Sequence, residues 1–478
     1  MTWNSGPARG VRIGTACPAD RPVPARQALS TARYPGRDGR MTQVRLGVDV
    51  GRTTTVAVLV RPGDAPPVHA VVASSPSLDR SLRDVLDALD SLGDAPYDRA
   101  DVVCLTTDLD RTPNTPSPVA VLRISPAGHP ALGPSPHPGG LTRVVAGGSS
   151  LTGRQLAPLD RAGVEAFARE AAAASITAFA VCAAGSPARP EPELTAASVI
   201  ARLLPGAHIT LSYEIGSPGL RERENAAAAN AALGTWAEHL TDTAGRTLRA
   251  RGITAPLFLA RDDAGLVSAE YVRRYPVIAT VSATACALRG AALLAGAERA
   301  VVVDAASSSI RCSAVADGEL EAGDAGPGPG GLWMDVGRPR LDSLPFGGEE
   351  PPADARQRVE ALVAGVLERS PGSTVLYAGG AAPLFGGTPD GIRAAAYGVA
   401  RADTRVELEQ VVVAPGRAEL DRAIVLARDQ ALARVVSAGA APDAARIART
   451  VHTPVSYLPG GVHRIRVRAV GTPAGATS

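Results

Sequence analysis

Val44-Arg-Leu-Gly-Val-Asp49-Val-Gly51-Arg52-Thr53-Thr-Thr55-Val-Ala-Val-Leu-Val60 decides the fold. Two apolar runs meet at Gly51 and Arg52, the pattern of a β-hairpin with a tight turn. About 255 residues later the pattern returns as Val302-Val-Asp304-Ala-Ala-Ser307-Ser308-Ser309, followed by another apolar run. Each copy is an apolar strand, one Asp, a turn of small and hydroxyl residues, then a second strand. In a nucleotide-binding protein such a hairpin brings backbone N–H groups and hydroxyls to phosphate, while the Asp holds a metal ion or orients water. Two ordinary hairpins with polar turns are the alternative.

Working outward, 478 residues with 45% apolar and 20% charged are enough for two or three soluble domains. All 49 basic residues of the Lys+Arg count are arginine. That excludes a P-loop lysine, a Schiff-base lysine for pyridoxal phosphate and a kinase-type lysine. A net charge of +2 argues against bulk nucleic-acid binding, although the charge is unevenly placed. Residues 1–40 and 446–478 are basic, leaving the body between them acidic. Five widely spaced cysteines, mostly in apolar runs, read as reduced core thiols of a cytoplasmic protein. No signal peptide or membrane span is evident, and the Pro-, Gly- and Arg-rich residues 1–40 read as a disordered extension.

Beyond the first hairpin, strands are expected at 102–107 and 119–124, then a Pro- and Gly-rich segment to 153. Asp160 is placed to cap a helix over 161–175. Strand 178–183, helix 194–204 and strand 208–213 continue an α/β alternation. A long helix is expected over 221–251, ending at Gly252. Strand 256–260, helices near 268–275 and 285–297, and the second hairpin follow. After Gly-Pro-Gly-Pro-Gly-Gly at 326–331 come helix 353–369, strand 374–377 with Gly379-Gly380, helix 417–437 and an Arg-alternating strand near 464–468.

Leu211-Ser-Tyr-Glu214-Ile-Gly-Ser-Pro-Gly-Leu-Arg-Glu-Arg-Glu-Asn225-Ala resembles the Ser-His-Glu-Ile... Glu-Arg-Glu-Asn segment of the hydantoinase A and 5-oxoprolinase family, actin-like ATPases. Supporting stretches are Leu46–Leu59, Ala255–Leu259, Arg289-Gly-Ala-Ala, Thr374–Gly380 and Tyr457-Leu-Pro-Gly. The resemblance spans about Arg45 to Gly471. It implies an α/β fold of two actin-like (ribonuclease H-like) lobes around a nucleotide cleft, with a C-terminal α/β extension. The expected division is 41–298, 299–415 and 416–478. The implied chemistry is opening of a cyclic amide such as hydantoin or 5-oxoproline, driven by ATP with a divalent metal. The implied partner is a hydantoinase B-like subunit or a second copy of the chain.

By the same resemblance Asp49, Asp304 and Glu214 fall at catalytic positions. Gly51, Thr53, Thr55, Ser308, Ser309, Gly379 and Gly380 fall around the nucleotide, and Asp108 and Asp263 at metal-ligand positions. The chain departs from the family pattern at these places. Arg52 replaces a glycine and Val56 an aspartate in the first loop. Ala306-Ser307 replace two glycines and Arg311 an aspartate in the second. Asp108 and Tyr213 stand for histidines, Ser282-Ala-Thr284 for Ser-Gly-Pro, and Asp262-Asp263-Ala264 for Asn-Asp-Gly. The expectation is therefore a degenerate member acting as a noncatalytic subunit or binding protein; the alternative is an active hydrolase in which Arg52 or Arg311 acts as a charge clamp.

Three further features have ordinary readings. Glu222, Arg223 and Glu224 belong to the Arg221–Asn225 run that keeps the family pattern, and fit a solvated helix start equally well. Gly147-Gly148-Ser149-Ser150 reads as loop punctuation. Arg464, Arg466 and Arg468 fit a solvated sheet edge, with an acidic partner as the sharper alternative. The seven histidines are scattered without i+3 or i+4 pairs.

Overall fold

The computed structural model describes residues 41–475 except 64, 94–96, 107–116, 127, 129–132, 138, 217, 307–308, 329–330, 346–353, 457 and 459. The expected extension 1–40, Asp108 and Ser308 lie outside the described residues.

Along the chain the elements begin with β1 (Arg45–Val50), β2 (Thr54–Val60), β3 (Val68–Ala73), α1 (Leu78–Asp90) and β4 (Val102–Leu105). Next come β5 (Val119–Ile124), β6 (Leu141–Val145), α2 (Arg161–Ala173), β7 (Ala178–Ala183), α3 (Glu191–Leu203) and β8 (His208–Leu211). Helices α4 (Leu220–Ala232) and α5 (Gly234–Ala250) precede β9 (Leu257–Ala260), β10 (Leu266–Ser268), α6 (Ala269–Arg274) and α7 (Ser282–Ala295). The second hairpin is β11 (Arg299–Ala305) and β12 (Ser309–Ala316). Short strands β13 (Glu319–Leu320), β14 (Gly326–Pro327), β15 (Trp333–Met334) and β16 (Asp342–Pro345) follow. The chain ends with α8 (Ala355–Arg369), β17 (Thr374–Ala378), α9 (Ala394–Ala400), β18 (Thr404–Val413), α10 (Arg417–Ser437), β19 (Arg446–Pro454) and β20 (Val462–Gly471).

Both expected hairpins form, and they are built alike. Asp49 stands opposite Val56 across β1/β2, and Asp304 stands opposite Arg311 across β11/β12. Each turn is closed by the N–H two residues after the Asp: Gly51 donates to the Thr54 carbonyl at 3.0 Å and Ala306 to that of Ser309 at 3.1 Å.

The hairpins belong to different sheets. β1 and β2 lie in a nine-stranded mixed sheet, β19-β20-β18-β10-β9-β4-β1-β2-β3. β11 and β12 lie in a second sheet, β13-β12-β11-β17, with β16 also paired to β12. Strand alternation sends Val56, Val58 and Val60 to one face of the first sheet and Ala57 and Leu59 to the other, where α1 and α5 cover them. Val56, Val58 and Val60 share a core with Ala300, Val302 and Val315 of the second sheet, around α7 and α9. Two sheets thus flank one helix pair, the expected two-lobed α/β arrangement.

Glycines let that pair approach closely. A Cβ on Gly290 of α7 would lie 1.9 Å from the Ala394 carbonyl oxygen, and one on Gly398 of α9 would lie 2.1 Å from that of Cys286. Gly47 of β1 is equally tight against the Ala396 carbonyl, at 2.1 Å. The Gly47 contact brings the first sheet onto α9.

A third unit is the parallel sheet β6-β5-β7-β8, with α2 and α3 contributing to its core. Asp160 caps α2 as expected, accepting from Gly163 N at 2.9 Å. The helix expected over 221–251 is two helices, because the chain turns at Leu233 and Gly234 begins a new axis. Gly252, at φ 74°, ends the second. β18, expected with the second lobe, pairs with β20 and β10 in the first sheet. The C-terminal helix α10 covers one face of these strands through Ala427, Ala431 and Val435, packed with Val406, Ile465 and Val467. Among the described residues no helix is long and apolar enough to cross a membrane. Four cysteines are described, Cys104, Cys182, Cys286 and Cys312; all are buried and none forms a disulfide.

Candidate functional site

The expected site residues fall into two groups: one at the hairpin turns, the other around a cavity. At the first turn Asp49 accepts a 2.6 Å hydrogen bond from the Thr106 hydroxyl. Thr55 is buried, its hydroxyl 2.7 Å from that of Ser74, which donates to the Gly51 carbonyl. Thr53 and Arg52 are exposed. Of the two expected threonine contacts, only Thr53 faces solvent; Thr55 instead ties the turn to Ser74.

At the second turn Asp304 is nearly buried, at 6% exposed. Gly379, following β17 at φ 85°, packs directly on it: a Cβ there would come within 2.9 Å of Asp304 Oδ1 and 2.4 Å of the Ala305 carbonyl oxygen. Glycine is required for both the backbone angle and the space. Gly380 has open surroundings. Facing residues of an antiparallel ladder project to the same side, so Arg311 shares a face with Asp304. Its Nη1 donates to Thr284 Oγ1 at 2.7 Å, in the first turn of α7.

The second group lines a cavity of 510 Å³. Glu214 and Asp263 are both on its wall; Asp49 and Asp304 are not. Glu214 sits in the turn after β8, receiving Arg274 Nη2 at 2.7 Å and the Tyr275 hydroxyl at 2.9 Å. Asp263 accepts from Arg261 through both oxygens, at 3.1 and 3.3 Å, and from Gly265 N at 3.1 Å. Burial pushes the Asp263 carboxyl up, but Arg261 and Arg405 outweigh it and hold the group at about 2. Its neighbour Asp262 accepts from Val281 N at 2.7 Å, Thr280 Oγ1 at 2.8 Å and Arg338 Nε at 3.1 Å. There burial prevails over Arg338, and the carboxyl is raised above its ordinary range. Ala264 completes this turn at φ 60°, left-handed backbone at the position where the family pattern has glycine.

A divalent cation fits poorly at Asp263 and Asp304. Both oxygens of Asp263 are engaged by guanidinium, and Arg311 shares the face of Asp304. Among the described residues no group of three His, Cys, Asp or Glu is arranged to hold a metal.

The run Arg223-Glu224-Asn225 is buried, so the solvated-helix reading fails there. Arg123 and Glu224 form a two-pronged ion pair at 2.5 and 2.9 Å. Arg223 donates to Ser212 Oγ at 2.9 Å and to the Ala183 carbonyl at 2.7 Å. Glu193 accepts from that same Ser212 hydroxyl at 2.6 Å and from Tyr213 N at 3.2 Å. Burial raises both Glu193 and Glu224. This polar cluster fixes the turn that aims Tyr213 and Glu214 into the cavity. The usable signal was α4 itself, whose alanines are apolar on every side: a charge inside such a helix must be buried and paired.

Arg464, Arg466 and Arg468 also differ from expectation, because β20 lies between β19 and β18 rather than at an edge. They face the cavity and pair with Glu407 and Glu409 of β18 and with Glu319.

No protein-family model matches the sequence, and no curated protein matches it either. Solved structures do match in shape. A nucleotide-free acetone carboxylase, described as carboxylating acetone with ATP, superposes with a TM-score of 0.64 at 13% identity, covering 91% of this chain and 89% of its own. The ATP-dependent caprolactamase of Pseudomonas jessenii superposes with a TM-score of 0.68 at 15% identity, covering 89% and 87%. The chain has the fold of these two enzymes.

Proposed function

We propose that this chain is a hydantoinase A/5-oxoprolinase-like protein that has lost cyclic-amide chemistry and serves as a noncatalytic subunit or binding protein. Its partner on this reading is a hydantoinase B-like subunit or a second copy of the chain, in the cytoplasm. The fold shared with two ATP-dependent enzymes supports the family. One observation carries the loss of activity: Arg311 stands directly across from Asp304, where the family pattern puts a second acid, and is tied to Thr284. A fixed guanidinium beside a carboxylate takes the charge that would otherwise attract a divalent cation. The engagement of Asp263 by Arg261 and the burial of the Thr55 hydroxyl support the same reading. Incubation of the full chain with ATP, Mg²⁺ or Mn²⁺ and either hydantoin or 5-oxoproline tests it. The expected result is no phosphate release and no ring opening; turnover with either substrate overturns the reading.

A further inference from the structure

We propose that the 510 Å³ cavity is an oxyanion-binding site, in which Arg449, with the charge of Arg468 beside it, binds the carboxylate or phosphate group of a small molecule. This goes beyond the reading above, because it needs neither ATP nor a metal.

The two arginines are direct partners in the β19/β20 register. Facing side chains in such a ladder lie on one side of the sheet with Cβ atoms about 4.5–5.5 Å apart, and like charges placed so repel. Both side chains line the cavity. An arrangement of this kind is stable when an anion lies between the charges.

The neighbouring carboxylates are already used. Glu407 pairs with Arg466 at 3.2 Å and with Arg468 at 3.2 Å. Glu409 is shared by Arg464 and Arg466, and Glu319 by Arg405 and Arg468. On this sheet face three carboxylates therefore serve four guanidinium groups before Arg449 is reached. Arg449 is exposed and forms no ion pair or hydrogen bond among the described residues. Arg468 keeps a buried Nε without a partner. Arg449 thus keeps its guanidinium free beside the charge of Arg468, in a concave site of the size that small ligands occupy.

The rest of the wall suits the organic part of such a molecule. Tyr213, Tyr271 and Tyr275 line the cavity, and Tyr271 and Tyr275 pack ring to ring with centroids 4.8 Å apart. Arg434 also lines the cavity, its Nη2 3.4 Å from the Glu214 carbonyl oxygen. The cavity carries as many carboxylates as arginines in all, so recognition is local to the Arg449–Arg468 pair rather than a property of overall charge.

Calorimetric titration and thermal melting of the full chain in low-salt Tris buffer test the proposal, with inorganic phosphate, glutarate and the neutral glutaramide as probes. Phosphate, glutarate or both should bind and raise the melting temperature, while glutaramide should do neither. Binding of phosphate alone assigns a phosphate-bearing ligand, of glutarate alone a carboxylate; binding of both assigns the oxyanion they share. R449Q should bind at least about tenfold more weakly. Without added anion R449Q should melt no lower than the unaltered chain, since one of two facing like charges is gone. Absence of binding by both anions overturns the proposal, as does an R449Q variant that binds them as tightly as the unaltered chain.

Discussion

Asp304 and Arg311 occupy facing positions of one antiparallel ladder, just as Asp49 and Val56 do in the other hairpin. The two halves of the molecule thus carry the same device, with an apolar residue opposite the acid in one and a guanidinium in the other. Arg311→Asp places two carboxylates across the ladder. In metal-free buffer the variant should be less stable than the unaltered chain, through repulsion and the lost bond to Thr284. Mn²⁺ should then raise its melting temperature by a few degrees, by mass action on the folded state, and leave the unaltered chain unmoved. Thermal melts with and without Mn²⁺ check this.

Val56→Asp is not the equivalent repair in the first hairpin. Val56 is fully buried in the core shared by the two lobes. A carboxylate there should destabilise the chain by about 3 kcal/mol or more, measured by urea unfolding.

Much of the fold was legible because its signals are local. The Asp-centred hairpins, the α/β alternation and the Asp160 and Gly252 helix caps each depend on a few adjacent residues. What escaped depends on distant packing. Arg464, Arg466 and Arg468 look alike on a solvated edge strand and on an interior strand facing a charged cavity; only the later pairing with β18 and β19 decides. Glu214 and Asp263 were named by resemblance, but their shared cavity and the guanidinium groups on each come from segments far apart in sequence. Arg338 gave no signal at all, since it reaches Asp262 from an irregular segment.

Ala264→Gly should stabilise the protein. Ala264 holds φ 60° in the turn that presents Asp263, where a Cβ costs about 1 kcal/mol. An increase of that order in unfolding free energy, with unchanged denaturant dependence, is the expected result.

Gly290→Ala tests the helix pair at the centre of the molecule. The new methyl group would meet the Ala394 carbonyl oxygen at 1.9 Å, so α7 and α9 must separate. The expected loss is about 2–3 kcal/mol, the scale of core overpacking. Equilibrium unfolding in urea measures it.

Asp263 makes stability depend on acid. Its folded value of about 2 lies below the usual carboxylate range, so its contribution is present above the unfolded value and is lost as pH falls towards 2. The size is about 2 kcal/mol at neutral pH. Asp263→Asn should therefore unfold more readily than the unaltered chain at pH 7, and the gap should shrink between about pH 4 and 2. A gap that stays constant across that range would show that Asp263 titrates normally.

On the proposed reading, arginines at Asp304 and Asp263 leave the chain without Mg²⁺-dependent nucleotide binding. Titration calorimetry of the full chain with ATP and Mg²⁺ tests it most directly. The account predicts no binding heat at concentrations up to about 1 mM, weaker than about −4 kcal/mol of binding free energy. Micromolar, Mg²⁺-dependent binding of ATP would contradict it.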